Sequence, residues 1–191
     1  MKSVKVIIAT LALGLVTFAG VAAPKVVNVN KSASSVAWLA KKVTGQHNGT
    51  IGISAGALNI DGKKLIGGNF TIDLKTIKVL DLTDPVSNQK LTGHLTSGDF
   101  FEVEKFPTAM FVITNVSGKQ VTGNLTIKGI TKSITFPADI KVKGGKLTAK
   151  ANITIDRTDF NIRYGSKKFF ESIGDKAIYD DFALTVSLVS E

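Results

Sequence analysis

The chain contains no cysteine among its 191 residues. Disulfide bonds therefore cannot stabilise the protein, and it has neither a thiol nucleophile nor a thiolate ligand for a metal ion. Stability has to come from burial of apolar side chains, and a chain of this length is long enough for one domain with a sizeable core. The sequence thus predicts a single domain that is stabilised by its hydrophobic core.

Histidine is also scarce, since only His47 and His94 are present. A histidine-rich metal site is excluded, whereas two histidines with a carboxylate stay compatible with a metal ion. The motifs of zinc peptidases, serine hydrolases and phosphate-binding loops are absent. A Ser-His-Asp triad or a pair of catalytic carboxylates has no fixed spacing in a sequence, so the absence of these motifs does not exclude either arrangement. The lack of concentrated acids and histidines nevertheless favours a protein that is not an enzyme and uses no catalytic cofactor.

Only two arginines occur, Arg157 and Arg163, so the formal net charge of +9 comes mainly from lysine. Proteins that read nucleic acids depend on arginine for bidentate contacts, and we therefore expect no nucleic-acid partner. The excess of lysine favours either transient contact with an anionic membrane surface or an evenly solvated surface. The sequence leaves the oligomeric state open, with a dimer as one alternative.

The long apolar run VIIATLALGLVTFA lies between Lys5 and the small residues GVAA. A basic start, an apolar middle and a small-residue end are typical of a secretory signal peptide. The run is shorter than the about 20 residues that a membrane-spanning helix needs. We expect residues 1–23 to be a signal peptide, cleaved near Ala22 or Ala23, and residues 24–191 to form one exported domain in the periplasm.

Alternation of apolar and polar residues runs through most of the remaining chain. It is seen in SVAWLAKKV, FTIDL, VTGNLTI, KLTAKANITID and DFALTVSLV. A period of two with many Thr, Val and Ile residues is typical of strands. Turn signals at Gly62, Gly118 and Gly144 separate the runs. The pattern predicts an all-β fold of about eight antiparallel strands in a sandwich or barrel.

One segment interrupts the alternation. Asp84 followed by Pro85 is typical of a helix N-cap with proline at the first helical position. We predict a short helix over residues 85–95 that lies across one end of the barrel. Residues 164–181 are also irregular, and we predict a long loop with one helical turn.

Strands of this kind form either a water-soluble barrel or one that spans a membrane. One Trp and two Tyr are too few for two aromatic girdles. The lysines on the polar strand faces would also crowd the lumen of a narrow barrel. The sequence therefore favours a barrel whose apolar face points inward.

Small residues on the apolar face indicate how that barrel is filled. Ala55 and Ala57 are expected to point inward in GTIGISAGAL, as are Ala149 and Ala151 in a later strand. This pattern favours an elongated apolar cavity. The alternative is that glycines in the same segment only allow the strand to bend.

His94 has two alternative roles. On a short helix at the mouth of the barrel, its imidazole would either hydrogen-bond the polar end of a ligand or pair with a carboxylate such as Asp99 and fix the helix. We expect a structural role for His47 at a strand end. Phe100 and Phe101 either anchor the core or touch a ligand.

The chain resembles the YceI-like family of exported, lipocalin-like, polyisoprenoid-binding proteins. The resemblance extends from near Val27 to Val189 and rests on the order and spacing of four motifs: VAWLAKKVTGQHNGTIG, LTGHLTSGDFFEVEKFPTAMF, VTGNLTIKGITKSITFP and IDRTDFNIRYG. It implies an extended, antiparallel, eight-stranded, lipocalin-like barrel with a short helix near one end and an apolar tunnel. It also implies that the tunnel binds an isoprenoid lipid of the quinone or polyprenyl type, and it implies no catalytic reaction.

We therefore predict binding, transport or storage of an amphiphilic isoprenoid lipid. The alternative is an envelope stress or surface-interaction protein that binds anionic partners through its lysine-rich face. His94 and Asp99 are expected near the mouth of the tunnel, and Ala55→Trp or Ala151→Trp is expected to block it. The side chains expected to line the tunnel are Trp38, Phe70, Phe111, Phe136, Ile153 and Phe182.

Overall fold

The computed structural model describes residues 23–191, so the predicted signal peptide over residues 1–23 lies outside the described residues except for its last position. None of the helices in this range has the length and apolar character needed to cross a membrane. The elements in chain order are β1 (Lys25–Asn28), β2 (Ser35–Lys42), β3 (Gly45–Asp61), β4 (Lys64–Val79), α1 (Pro85–Thr96), β5 (Thr108–Ser117), β6 (Gln120–Ile127), β7 (Ile130–Lys143), β8 (Lys146–Asp156), two 3-10 helices (Arg157–Phe160 and Gly174–Lys176) and β9 (Ile178–Val189).

Strands β2 to β9 form a closed antiparallel barrel of eight strands, as predicted. Each strand pairs with its neighbours in the chain, and β2 also pairs with β9, so the sheet has no open edge. The short β1 pairs with the last part of β3, where Val27 lies opposite Leu58. Strand β2 pairs with the first part of β3, where Val36 lies opposite Ile51. Because β1 and β2 pair with different parts of the same edge of β3, β1 extends the barrel wall and is not a ninth strand of the barrel.

The inward faces of the strands follow the alternation of the sequence. Strand β9 shows this clearly, because Val186 and Leu188 are buried in the apolar core and Phe182 and Leu184 pack against it. Successive side chains of a strand point to opposite faces, so every second residue reaches the barrel interior. A closed barrel with apolar residues at these positions encloses its own core.

Strand β3 departs from the predicted alternation. Its pairing with β4 shifts register between Ile53 and Ala55. Beyond this bulge Ala55 is exposed, while Leu58 and Ile60 are buried. An extra residue at a bulge moves the following side chains to the other face. Ala57, which neighbours buried Leu58, lies on the same outer face as Ala55. The prediction that Ala55 and Ala57 point inward is therefore wrong, and so is the expectation that Ala55→Trp would block the interior.

The predicted helix is confirmed as α1, one residue longer at its C-terminal end. The side chain of Asp84 accepts a hydrogen bond from the backbone N–H of Ser87 at 2.8 Å, which caps the helix. The side chain of Asn88 donates to the carbonyl oxygens of Val79 and Leu82, each at 2.9 Å. These bonds hold the first half of α1 against the end of β4. Leu95, in the last turn of the helix, is buried.

The connections differ between the two ends of the barrel. The end that we call the mouth end holds residues 80–107, with α1, and residues 157–177, with the two 3-10 helices, besides tight turns at residues 43–44 and 128–129. The loop predicted over residues 164–181 is confirmed up to the start of β9. The opposite end, which we call the turn end, consists of three hairpin turns at residues 62–63, 118–119 and 144–145.

Candidate ligand-binding site

The barrel encloses an apolar cavity of about 120 Å3 next to its mouth end, which we call the upper chamber. Its wall is formed by inward side chains of the strands and by the residues that cover the mouth, among them Trp38, Leu95, Phe100 and Phe182. Helix α1 contributes Leu95, and the segment after it contributes Phe100. Both side chains cover the mouth end of the barrel. They are part of the hydrophobic core and would also contact a ligand in the upper chamber.

A second cavity of about 40 Å3, the lower chamber, lies further down the barrel. The two chambers follow one another along the strands, because Ile155 lines the upper chamber and Ile153, two residues away on the same face of β8, lines the lower one. Likewise Leu184 lines the upper chamber and Val186 the lower. The sequence predicted one elongated tunnel, and the structure has two apolar cavities in succession along the barrel.

Three phenylalanines lie at the division between the two cavities. The ring of Phe111 lies 5.4 Å from the ring of Phe70 and 5.5 Å from that of Phe136, measured between centroids. On β4 and β5 the next inward residues towards the mouth, Ile72 and Ala109, already line the upper chamber. The three rings thus form the side of the lower chamber that faces the upper one, and they lie between the two cavities.

The six side chains expected to line a tunnel all lie on the inner wall, in two groups. Trp38 and Phe182 line the upper chamber. Phe70, Phe111, Phe136 and Ile153 line the lower chamber. The first two lie beside the mouth of the barrel, whereas the other four lie around or below the division.

A smaller apolar pocket of about 60 Å3 lies between α1 and β2, and we call it the entry pocket. Trp38, Leu95 and Phe100 line both this pocket and the upper chamber. Lys41 and Lys42 contribute to the wall on the outer side. Ala40 and Ile178 are shared by the two cavities as well, so five residues separate the entry pocket from the upper chamber. The pocket is therefore a candidate route from solvent to the upper chamber, along which the larger of these side chains would have to move aside.

His94 and Asp99 lie together at the mouth end, outside both chambers. The Nε2 atom of His94 is 3.4 Å from Oδ2 of Asp99, whose side chain is 61% exposed. The imidazole packs edge-on against the rings of Phe100 and Tyr164, with centroid distances of 5.0 and 4.4 Å. Nε2 of His94 is buried and makes no hydrogen bond among the described residues, so the structure is compatible with both of the roles predicted for His94.

His47 has a comparable arrangement at the start of β3. Its Nδ1 atom lies 2.7 Å from Oδ2 of Asp81, and the other oxygen of Asp81 accepts the backbone N–H of Asn48 at 2.9 Å. Burial alone would raise the pKa of Asp81, but the hydrogen bonds from Asn48 and His47 outweigh it and hold this pKa below its usual value. The pair ties β3 to the segment after β4, which fits the structural role expected for His47.

Arg157 is a residue of the chamber wall that the sequence analysis did not single out. Its side chain is only 5% exposed, and it donates to the carbonyl oxygens of Ile162 and Ile178 at 2.9 and 3.1 Å. Burial lowers the pKa of Arg157, and Asp180 at 3.4 Å offsets part of that effect. Arg157 follows inward-facing Ile155 by two residues, so the alternation of β8 also directs Arg157 inward. This alternation is the feature of the sequence from which the burial of Arg157 could have been predicted.

Within residues 23–191 no three His, Asp or Glu side chains come close enough to hold a metal ion together. Asp81 and Arg157 use their polar groups in pairs and in bonds to the backbone, whereas the buried Nε2 of His94 makes no hydrogen bond among the described residues. What the described interior offers a ligand is therefore apolar contact at the walls, with few polar groups.

Known proteins resemble this chain in sequence and in fold. The family described as YceI-like domain matches residues 27–190. A UPF0312 protein of Pseudomonas putida is 30% identical over 127 residues, which are 61% of this chain and 64% of that protein. The chain thus spans less than two thirds of the length of this relative.

Two solved structures share the fold. Burkholderia cenocepacia BcnA superposes with a TM-score of 0.67 at 24% identity, over 85% of this chain and 99% of its own. A polyisoprenoid binding domain from Saccharophagus degradans, implicated in plant cell wall breakdown, superposes with a TM-score of 0.65 at 13% identity, over 86% and 97%. At such identities the likeness concerns the fold alone. Because the family match covers nearly all of the barrel described above, the chain belongs to the YceI-like domain family.

Proposed function

We propose that the protein binds an amphiphilic isoprenoid lipid, of the quinone or polyprenyl type, and carries or stores it without catalysis. The observation that carries the proposal is the upper chamber, an apolar cavity enclosed by a closed barrel and reached through an apolar entry pocket. A fold neighbour is described as a polyisoprenoid binding domain, which supports the same ligand class. The proposed place of action is the periplasm, on the strength of the signal peptide expected from the sequence.

The energetics favour an apolar chain as the occupant. Each CH2-sized group transferred from water into such a wall contributes about 0.8 kcal/mol. A cavity of about 150 Å3 lined by Leu, Ile and Phe holds a molecule the size of benzene. The upper chamber, at about 120 Å3, therefore takes one end of an isoprenoid chain. A longer chain has to displace the rings of Phe70, Phe111 and Phe136 to reach the lower chamber.

The test is native mass spectrometry of the mature protein, purified gently from its own host and then extracted for lipid identification. A stoichiometric isoprenoid is the expected result. A measured mass equal to that of the polypeptide alone, together with no uptake of added isoprenoid, would refute the proposal. Detergent-exchanged protein offered the same lipids serves as the control, because it shows whether purification itself empties the chamber.

A second candidate function has its own observation, which is the uneven placement of charge. The connections at the mouth end carry eight basic and eight acidic side chains between them. At the turn end the three hairpin segments DGKK, SGKQ and KGGK carry five lysines and one aspartate. All five lysines are exposed, and Lys25 approaches the turn at Gly145. Lys119 pairs with Asp139 at 3.0 Å, while the other four lysines make no ion pair with the described residues. The turn end is thus a basic surface, whereas the mouth end is balanced.

This surface fits an anionic bilayer. A lysine near such a surface contributes about 1 kcal/mol, so three of them change the affinity by up to about 100-fold. Attraction of this kind weakens as salt screens it. The orientation that follows places the turn end on the membrane and the mouth towards the aqueous phase, where a lipid would be exchanged with a partner.

Two matched triple variants distinguish docking through the turn end from a general effect of the protein's net charge. The first replaces Lys63, Lys119 and Lys146 at the turn end by Gln. The second replaces Lys105, Lys167 and Lys176, which are exposed at the mouth end. Binding to phosphatidylglycerol vesicles is expected to fall strongly with the first triple and slightly with the second. Equal losses would contradict docking through the turn end, and tighter binding to heparin than to vesicles would point to a polyanion instead.

A further inference from the structure

The indole N–H of Trp38 is a buried donor with no hydrogen-bond partner among the described residues. The residue is only 8% exposed. Buried tryptophans usually find an acceptor for this group, because leaving it unpaired costs free energy. A ligand in this cavity can therefore supply the hydrogen-bond acceptor that the described residues do not provide.

The position of Trp38 matches that role. The side chain belongs to the wall of both the entry pocket and the upper chamber. Its ring lies over Gly49 on the neighbouring strand, and a Cβ added to Gly49 would come within 2.7 Å of Cε2, the ring carbon bonded to Nε1. A side chain at position 49 would thus displace the indole. The backbone of β3 therefore fixes the ring, and with it the N–H, before any ligand arrives.

Two other buried groups lie near the chamber. Nε2 of His94 also lacks a hydrogen bond among the described residues, but His94 lies outside both chambers. The guanidinium of Arg157, in the chamber wall, is already occupied. Arg157 makes four hydrogen bonds, to the carbonyl oxygens of Tyr179, Ile162 and Ile178 and to Asp180. Its bonds hold the loop before β9 in place, so they are not available without local unfolding. The remaining wall is apolar, and a charged group placed against it would lose its hydration without a counter-ion.

We infer that the ligand carries an uncharged hydrogen-bond acceptor, a carbonyl or hydroxyl oxygen, that binds Nε1 of Trp38 where the entry pocket meets the upper chamber. This inference rests on the proposed function and narrows it. It selects isoprenoid ketones, quinones and alcohols over pure hydrocarbons, and it disfavours a phosphate at this depth. The apolar part of the ligand then extends into the chamber.

The test compares hexahydrofarnesylacetone, an isoprenoid ketone, with the alkane of the same carbon skeleton. Wild-type protein is expected to bind the ketone about five- to tenfold more tightly, as one neutral hydrogen bond allows. Trp38→Phe keeps an aromatic ring but removes the N–H, and it should abolish that preference. Phe182→Leu changes the same chamber without touching a donor, so it should alter both affinities by a similar factor and leave the preference intact.

A second measurement needs no variant. Trp38 is the single tryptophan of the chain, so a proton–nitrogen correlation spectrum contains one indole signal. The ketone is expected to move the indole proton downfield, whereas the alkane should change it much less. Equal movements with both probes, or a ketone preference that persists in Trp38→Phe, would overturn the inference while leaving lipid binding intact. Failure of wild-type protein to bind either probe would instead refute the proposed function.

Discussion

Removal of the Phe111 ring is expected to join the two chambers. This residue is 4% exposed, and its ring lies over Gly123, where an added Cβ would come within 2.4 Å of Cζ. No neighbouring side chain replaces the ring, so Phe111→Ala should leave a cavity and lower the free energy of unfolding by about 3–5 kcal/mol. A domain of this kind has about 5–15 kcal/mol of stability, so the variant is best studied at low temperature.

The functional consequence concerns the length of the ligand. In the wild-type protein a long chain has to displace the rings that divide the barrel, whereas in Phe111→Ala it enters the lower chamber directly. Two additional CH2-sized groups buried in this way contribute about 1.6 kcal/mol, which exceeds a tenfold change in affinity. We expect the affinity for solanesol relative to that for farnesol to rise by at least about tenfold, as measured by displacement of a fluorescent lipid.

Phe182→Ala is the matched control, because Phe182 lines the upper chamber and lies away from the division. It should weaken both alcohols by similar factors. Circular dichroism establishes that both variants keep the barrel. A solanesol-to-farnesol ratio that is the same in Phe111→Ala and in the wild-type protein would refute the idea that the phenylalanines form a barrier.

Three further outcomes are expected. Ala40→Trp should slow ligand uptake through the entry pocket, whereas the exposed Ala55→Trp should not; equal uptake rates would argue against this route. Asn88→Ala should lower stability by roughly 1–3 kcal/mol in urea unfolding, because it leaves two carbonyl acceptors near α1 unpaired. Because the folded pKa of Asp81 is depressed, its contribution is present above about pH 4 and is lost as the pH falls through the folded pKa. The stability difference between wild type and Asp81→Asn should thus shrink from pH 7 to pH 3, and a constant difference would contradict the assigned bonds.

Local sequence signals predicted most of the fold. Period-two alternation depends on the geometry of a strand alone, so β9 and β8 could be oriented without knowing their neighbours. The boundary of α1 was likewise predictable, since Asp84 and Pro85 act on the backbone within one turn. The family resemblance and the family match agree on the barrel, and all six residues expected on the inner wall are there.

The sequence by itself therefore determined the strand pattern, the helix and the apolar character of the interior. Only the tertiary structure decided the bulge that exposes Ala55, the burial of Arg157, the division at Phe111 and the unpaired N–H of Trp38. The physical reason is that alternation assigns each side chain to a face, whereas these features depend on distances between residues far apart in the chain. Whether two inward rings touch, or whether a buried donor meets an acceptor, is fixed only when the barrel closes.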